Sequence, residues 1–468
     1  MKSIIRILLL LGLVARLGAA DRPNIIIVFT DDQGFEDVGC FGSPKIKTPC
    51  LDHLATEGLR FDHFYVGASV CSASRASLLT GRYSIHHGTR GVYAPGHDGL
   101  NLTETTLANI LHDAGYATAS FGKWHLGNDE KFLPTRRGFD AYFGIPYSND
   151  MYIGADQKFA ENCVFLAGWD RARALADQAF VKAHLKDRAS IHQRGLKGVA
   201  PLMSGDEIVE YPANQATLTR RYFDHAIDFI DQSGEKPFFL YITPAMPHVP
   251  LAASEPFLGK SARGLYGDAV EEIDWNIGRL LDHLDAKKLS ANTLVIFTSD
   301  NGPWLSEGKD SGSAGPFRDG KFTSYEGGFR LPAIMRWPGH FPAGRLSHEM
   351  LSTLDYLPTL AHYAGAALPK MPLDGINVSA FLENPDLPSG RDTFFYMNNG
   401  QVAGVRVGPW KYLEHGGNKD AKPSDAPELY NLADDIAEKT NLATAHPEKV
   451  RELQAKITAF LVHDKTPE

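Results

Sequence analysis

Two short runs constrain this 468-residue chain more than anything else in it: residues 25–29 and 293–297, each apolar or β-branched throughout. A strand with one wet face alternates polar and apolar side chains, so an unbroken run fits a strand buried on both faces, as in a parallel sheet covered by helices. Each run ends in acid or amide side chains, Asp31-Asp32 after the first and Asp300-Asn301-Gly302 after the second. In open α/β sheets the ligand crevice lies beyond the carboxyl ends of the strands, so these two distant ends are expected to converge.

Between them, residues 102–114 read as an amphipathic helix with Thr103 or Thr105 as N-cap, stopped by Gly115, and residues 118–121 as the next strand. Residues 220–231, 269–285 and 351–364 read as helices and residues 238–243 as a strand. This alternation predicts an α/β fold, a mainly parallel sheet sandwiched by helices. Residues 149–215 are less regular and read as an insertion. Past about residue 385 the pattern changes to short strands at 393–397, 403–407 and 411–414 and a closing helix at 449–462, predicting a small C-terminal antiparallel sheet plus helix. The expected organisation is a leader at 1–20, a catalytic domain at 21–385 and a small subdomain at 386–468.

The leader is read from Lys2 and Arg6, an apolar stretch at 7–14, and the small residues Gly18 and Ala20 before a cut. It predicts export, to a periplasm, the medium or, in a eukaryote, a lysosome. No later stretch has the length and apolarity of a membrane anchor. A net charge of −9 gives no footprint for nucleic acid, so an anionic ligand has to be met by local positive charge. Of four cysteines (Cys40, Cys50, Cys71, Cys163), an exported chain can bridge some, and Cys40 with Cys50 is the simplest pair. The basic residues Arg171, Arg173, Lys182, Lys186, Arg188, Arg194 and Lys197 read as a solvated helical face, with a groove for a polyanionic glycan as the sharper alternative. Asn101 and Asn377 head glycosylation triplets, which chance supplies often.

The stretch Val70-Cys71-Ser72-Ala73-Ser74-Arg75-Ala76-Ser77-Leu78-Leu79-Thr80-Gly81-Arg82 carries the most chemistry. Its simplest reading is a buried Cys at the start of a helix. Free amides and the positive dipole end there favour anions and activate a thiol, so a thiol nucleophile competes on this stretch alone. The longer pattern, Cys-x-Ala-x-Arg followed by Leu-Leu-Thr-Gly-Arg, resembles the signature of the type I, formylglycine-dependent sulfatases, of the arylsulfatase and N-acetylgalactosamine-6-sulfatase kind. The resemblance spans nearly the whole mature chain, through Asp31-Asp32, Gly122-Lys123-Trp124-His125-Leu126-Gly127, Pro247-His248, Asp300-Asn301-Gly302, and Lys321 ahead of Tyr325-Glu326-Gly327-Gly328-Phe329-Arg330. It departs at Ala73, where the family more often has Pro, so activity is tied to how the oxidising machinery accepts this variant.

The resemblance implies an alkaline-phosphatase-like fold, oxidation of Cys71 to formylglycine by a formylglycine-generating enzyme, and hydrolysis of sulfated carbohydrate or aryl sulfate esters. An aldehyde hydrates to a geminal diol: one hydroxyl beside a divalent cation attacks sulfur, and deprotonation of the other expels sulfate. Asp31, Asp32, Asp300 and Asn301, with residue 71, supply an oxygen set suited to a hard cation; residue types allow Ca²⁺ or Mg²⁺, and the resemblance favours Ca²⁺. Lys123 and His125, two apart, would share a side of an extended segment. The family pattern assigns Lys123 to sulfate, His125 to the proton movement that releases it, His248 to leaving-group acid, Lys321 to a second sulfate contact and Arg75 to holding the nucleophile and carboxylates; Ser148 resembles a sulfate-contacting serine. A phosphodiesterase or phosphonate monoester hydrolase on the same scaffold, and a non-catalytic glycan-binding protein, remain the alternatives.

Overall fold

The computed structural model describes residues 22–463; the leader at 1–20 lies outside them. Five parallel strands form its centre: β1 (Asn24–Thr30), β2 (Ala117–Gly122), β3 (Ala141–Gly144), β4 (Phe238–Thr243) and β5 (Thr293–Ser299), in spatial order β5-β1-β4-β2-β3. All seven residues of β1 and of β5 are buried, as unbroken apolar runs require. Ile25 pairs with Leu294 and Thr30 with Ser299, so both strands end at the same level.

Alternation divides the side chains of β1 between two cores. Ile25, Ile27 and Phe29 face helices α2 (Cys71–Thr80), α3 (Leu107–Asp113) and α6 (Tyr356–Ala364), through residues such as Leu78, Leu111 and Leu360. Ile26 and Val28 face α1 (Pro49–Thr56), α4 (Gln215–Ser233) and α5 (Leu265–Ala286), through Leu54, Phe223 and Ile277. The sheet is therefore covered on both faces, as the alternating pattern predicts.

Three expectations are corrected. The helix placed at 102–114 begins only at Leu107, because Arg137 draws the carbonyls of Asn101 and Glu104 onto its guanidinium and Arg82 holds the Glu104 carboxylate at 2.7 Å. Thr106, neither Thr103 nor Thr105, caps it by accepting from the Asn109 amide. The helix placed at 351–364 begins at Tyr356; Leu351 and Ser352 pair with Phe64 and Tyr65 as a short parallel bridge. Cys40 and Cys50 are both free, with the Cys50 sulfur packed against Gly278 of α5.

The insertion has structure of its own. Strands Lys158–Phe165, Leu202–Ser204 and Glu207–Tyr211 extend the main sheet beyond β3, and Ala333–Arg336, Leu59–Phe61 and Arg345–Ser347 extend it beyond β5, giving eleven strands among the described residues. Its basic residues are largely consumed locally: Arg171 donates to Ala160 O at 2.6 Å, Lys182 pairs with Asp156 at 2.6 Å and Arg194 with Asp177 at 3.2 Å. That supports the solvated-face reading over a glycan groove.

Toward the carboxyl end, β6 (Thr393–Asn398), β7 (Gln401–Val407), β8 (Trp410–Leu413) and β9 (Glu428–Asn431) form an antiparallel sheet backed by α7 (Pro447–His463). The fourth strand, β9, has no counterpart among the three strands read from the sequence. This sheet is tied to the larger one by buried charge: Lys411 contacts Glu326 at 3.0 Å and Glu438 at 2.7 Å, and Glu326 also accepts from Tyr396 at 2.6 Å. Among the described residues no helix is long and apolar enough to cross a membrane. Replacing Lys411 with Ala removes the ammonium shared by two buried carboxylates, and the expected loss is about 3–5 kcal/mol, read from the urea midpoint; a loss below about 1 kcal/mol, the range of exposed pairs, would contradict this account.

Candidate active site

The site forms where β1, β5 and β2 end. Past β1 the chain turns at Asp32, whose φ of 59° is left-handed, and the Asp32 amide donates to Asp300 Oδ1 at 3.2 Å. Past β5 the amide of Asp300 donates to Thr30 O at 3.0 Å. Two backbones in register thus deliver Asp31, Asp32, Asp300 and Asn301 to one point, all 3% exposed or less.

Cys71 opens α2 beside them, its Sγ 3.6 Å from Asp31 Oδ1. Ligand atoms of Asp31, Asp32, Cys71 and His248 all lie within 4.8 Å of one another. Four residues along the same helix, about one turn, Arg75 places Nε and an Nη on Asp300 Oδ2 at 3.0 and 2.7 Å and reaches Asp31 Oδ2 at 3.5 Å. Its remaining Nη donates to Lys123 O at 3.1 Å. A fork of fixed geometry satisfies both carboxylates where a lysine's point charge would not.

Gly122 ends β2 with φ of 127°, and a Cβ there would lie 2.0 Å from Thr243 O. This close approach directs Lys123 inward, where Nζ meets Asp31 and lies 3.3 Å from Ser148 Oγ. His125 is not on an extended segment, as expected from its spacing to Lys123; its φ is 61°. Both residues nonetheless reach the centre, through a turn rather than through strand alternation. Lys321 places Nζ 2.9 Å from Asp32 Oδ2, and His248 Nε2 is 3.7 Å from the same oxygen. The structure thus brings together Asp31, Asp32, Cys71, Arg75, Lys123, His125, Ser148, His248, Asp300, Asn301 and Lys321.

Burial opposes every charge here, and partners decide the outcome. Burial pushes Asp31 up, but Lys123, His248 and Arg75 overcome it and hold the carboxyl well below its usual range. Burial presses Lys123 and Lys321 toward neutrality, and their aspartates keep both charged. The Cys71 thiol is pushed up to about 12, chiefly by burial. Burial, with Lys321 beside it, lowers His248, and burial with Lys123 and Arg75 lowers His125 further.

Hydrogen bonds assign the rings. His125 Nε2 lies 2.9 Å from Tyr93 O, and a carbonyl only accepts, so Nε2 carries the proton and Nδ1, buried and without a partner, presents a lone pair. By the same logic His248 Nδ1 donates to Val249 O at 2.5 Å, leaving Nε2 to face the site. Asn301 donates Nδ2 to Asp32 Oδ1 at 2.7 Å, and its Oδ1 is buried with no partner. An orphaned amide oxygen among carboxylates is what a hard cation would satisfy.

Two further residues belong to the site and carry no spacing signal. Tyr93 orients His125 through its carbonyl and is itself held by its amide, which donates to Ser72 Oγ at 3.0 Å. Trp304 lies between His248, with ring centroids 5.5 Å apart, and Lys321, whose Nζ is 4.6 Å from its ring. Only tertiary packing brings either one here.

A family model described as Sulfatase matches residues 23–366, and one described as N-sulphoglucosamine sulphohydrolase, C-terminal, matches residues 316–466. The chain belongs to the sulfatase family. The enzyme is 38% identical to arylsulfatase G of Rattus norvegicus, over 94% of this chain and 86% of that one. It is 38% identical to N-acetylgalactosamine-6-sulfatase of Canis lupus familiaris, over 87% of this chain and 74% of that one. Among solved structures, Ps i-CgsB in complex with k-i-k-neocarrahexaose superposes with a TM-score of 0.73 at 29% identity, covering 94% and 92% of the two chains. The phosphonate monoester hydrolase of Agrobacterium radiobacter, at 22% identity and a TM-score of 0.59 over 93% and 96%, shares the fold alone. This sulfatase is thus a sulfuric ester hydrolase with an alkaline-phosphatase-like architecture.

Gly122 offers a direct check on how the site is held. In Gly122→Ala both the positive φ and the contact with Thr243 O are strained, and a stability loss of about 2 kcal/mol or more is expected, together with a fall in sulfatase turnover as Lys123 shifts. Unchanged melting and turnover would show that the close approach is unimportant.

Proposed function

We propose that this sulfatase releases inorganic sulfate from carbohydrate sulfate monoesters, glycosaminoglycan or algal polysaccharide fragments, after a formylglycine-generating enzyme has converted Cys71 to formylglycine. The observation that carries the reading is the placement of residue 71, buried at a helix start, where three carboxylates and the cations Arg75, Lys123 and Lys321 converge. As an unmodified thiol pushed up to about 12, Cys71 is a poor nucleophile at neutral pH, which argues against a thiol enzyme. Similarity to Ps i-CgsB, solved in complex with k-i-k-neocarrahexaose, and to an N-acetylgalactosamine-6-sulfatase supports a carbohydrate ester. Removal of residues 1–20 on export, and a division into a catalytic domain at 21–385 and a C-terminal subdomain at 386–468, belong to the same reading.

Asp31, Asp32, Asp300 and Asn301, with residue 71, are the groups to hold a hard divalent cation, and the orphaned Asn301 Oδ1 fits that role. Ca²⁺ is favoured, with Mg²⁺ compatible; bound there, the cation supplies positive charge that favours an ionised hydroxyl and a sulfate group in the transition state. Hydrated formylglycine supplies two hydroxyls on one carbon, one to attack sulfur and one whose deprotonation releases sulfate. The side chains do the rest. Lys123, Lys321 and Ser148 bind the sulfate oxygens, and their fixed charge offsets the charge that spreads onto those oxygens in the transition state. Arg75 orients Asp300 through two hydrogen bonds and helps keep Asp31 ionised. His248 Nε2 gives a proton to the departing alcohol, and His125 Nδ1 takes one from the hydroxyl at residue 71. Overall, one ester and one water give an alcohol, sulfate and a proton.

With conversion at residue 71 verified by peptide mass, sulfate release from para-nitrophenyl sulfate and from defined sulfated saccharides is the direct test. Cys71→Ala is expected to lower kcat by at least about 10³-fold; unchanged turnover would sink the mechanism. Chelation is expected to abolish turnover and lower the melting temperature, with Ca²⁺ or Mg²⁺ at about 100 times Kd restoring about 2.7 kcal/mol; a chelated protein that stays active and equally stable would remove the cation.

The pH profile has a fixed sign. His248 is lowered below the ordinary imidazole value, so its protonated, proton-giving form is lost as pH rises through a value under about 6.5. For saccharide sulfates, whose alcohols leave poorly, kcat/KM is expected to fall with pH across the neutral range. His248→Gln should flatten that limb, and a limb that persists in the variant would reassign the acid.

A further inference from the structure

Beside the nucleophile lies a cavity of about 180 Å³ that the chemistry above does not use. Val70 and Ala73, on either side of Cys71 in sequence, form part of its wall, and Phe322, next to Lys321, forms another part. The Phe322 amide donates to Ser69 O at 3.0 Å, locking these two stretches together. The opposite wall comes from the antiparallel sheet, through Asn398 and Asn399 at the tip of the β6–β7 hairpin. Asn399-Gly400 has φ of 48° and 74°, the two left-handed residues of a tight hairpin turn. It packs on the loop at 90–93: Asn399 Oδ1 lies 3.6 Å from the Cβ position of Gly91, and the Arg90 side chain lies against Gly400. That loop also carries the Tyr93 carbonyl that orients His125.

The lining mixes polar and apolar groups, as a sugar ring does. Ser84 lines the cavity, and its Oγ is buried with no hydrogen-bond partner. The two asparagine amides offer donors and acceptors without charge, and Phe322 an aromatic surface. Hydroxyl groups, each both donor and acceptor, suit such a wall, and Lys419, which also lines the cavity, is a further donor. The volume is below the about 300–1,000 Å³ of pockets for drug-sized ligands and suits one ring rather than a chain.

Resting on the carbohydrate reading above, we propose that this cavity receives the sugar ring that bears the ester, and that Asn398, Asn399 and Ser84 hydrogen-bond its hydroxyls. The hairpin of the smaller sheet is then a specificity element of the active site, and its tight turn sets which ring fits.

The test compares para-nitrophenyl sulfate, which lacks hydroxyls, with N-acetylgalactosamine 6-sulfate and a panel of other monosaccharide sulfates, using wild-type enzyme, Asn398→Ala, Asn399→Gly and Ser84→Ala. Asn399→Gly removes the amide and keeps the left-handed turn, and melting temperatures check the folding of each variant. Asn398→Ala and Asn399→Gly are expected to lower kcat/KM for the best saccharide on the order of tenfold or more, mainly through KM, with a several-fold smaller loss on the aryl ester. Equal losses on both substrates, or no loss on the saccharide, would overturn the inference and leave the carbohydrate reading standing. Wild-type enzyme that cleaves the aryl ester and no saccharide would remove that reading and the inference with it.

Discussion

Three carboxylates and three cationic side chains share a buried space, and the geometry of this active site follows from keeping them paired. An isolated buried charge costs several kcal/mol, so Asp31, Asp32 and Asp300 are tolerated only because Lys123, Lys321 and Arg75 stand against them. The count is near balance, three against three, before a substrate arrives. Under the proposed function, a dication and a sulfate monoester would together add one net positive charge. The pairing also explains why Arg75 is an arginine: it bonds Asp300 twice, approaches Asp31 and still donates to the Lys123 carbonyl, tasks that a single ammonium does not perform together.

The sheet makes this pairing geometrically simple. β1 and β5 are in register, so their last residues emerge side by side, and the residues that follow inherit that alignment. Local backbone strain then aims the side chains. Asp32, His125 and Phe322, among the seven described non-glycine residues with positive φ, all flank functional positions, and the surrounding bonds hold them there. The antiparallel sheet contributes from the other side, anchored through Lys411 between Glu326 and Glu438, and brings its hairpin tip to the wall of the cavity beside Cys71.

Strands buried on both faces were the most legible elements: the run at 238–243 coincides with β4, and the runs at 25–29 and 293–297 lie inside β1 and β5. Helix ends were less legible, because long-range partners decide them. Arg137 takes the carbonyls that would have opened a helix at residue 102, and pairing with Phe64 and Tyr65 withholds Leu351 and Ser352 from another. The insertion at 149–215 hid three sheet strands, since short edge strands carry little periodicity. Within the site, residues in short motifs stood out, whereas Tyr93, acting through a carbonyl, and Trp304, acting through ring contacts, left no pattern to find.

By itself, then, the sequence determined the kinds of group involved: an oxygen-rich set after two apolar strands, a cysteine at a helix start, and lysines, histidines and an arginine in recognisable motifs. Those are local properties, set by residue type and by spacing over a few positions. Only the tertiary structure decided which carboxylate each cation answers, which imidazole nitrogen is left free, that Cys40 and Cys50 do not bridge, and that a hairpin some 330 residues further along the chain lines one cavity with Val70 and Ala73, the neighbours of Cys71. The physical reason is that charge pairing, hydrogen-bond direction and cavity shape depend on distances across strands and between sheets, and sequence separation carries no information about those.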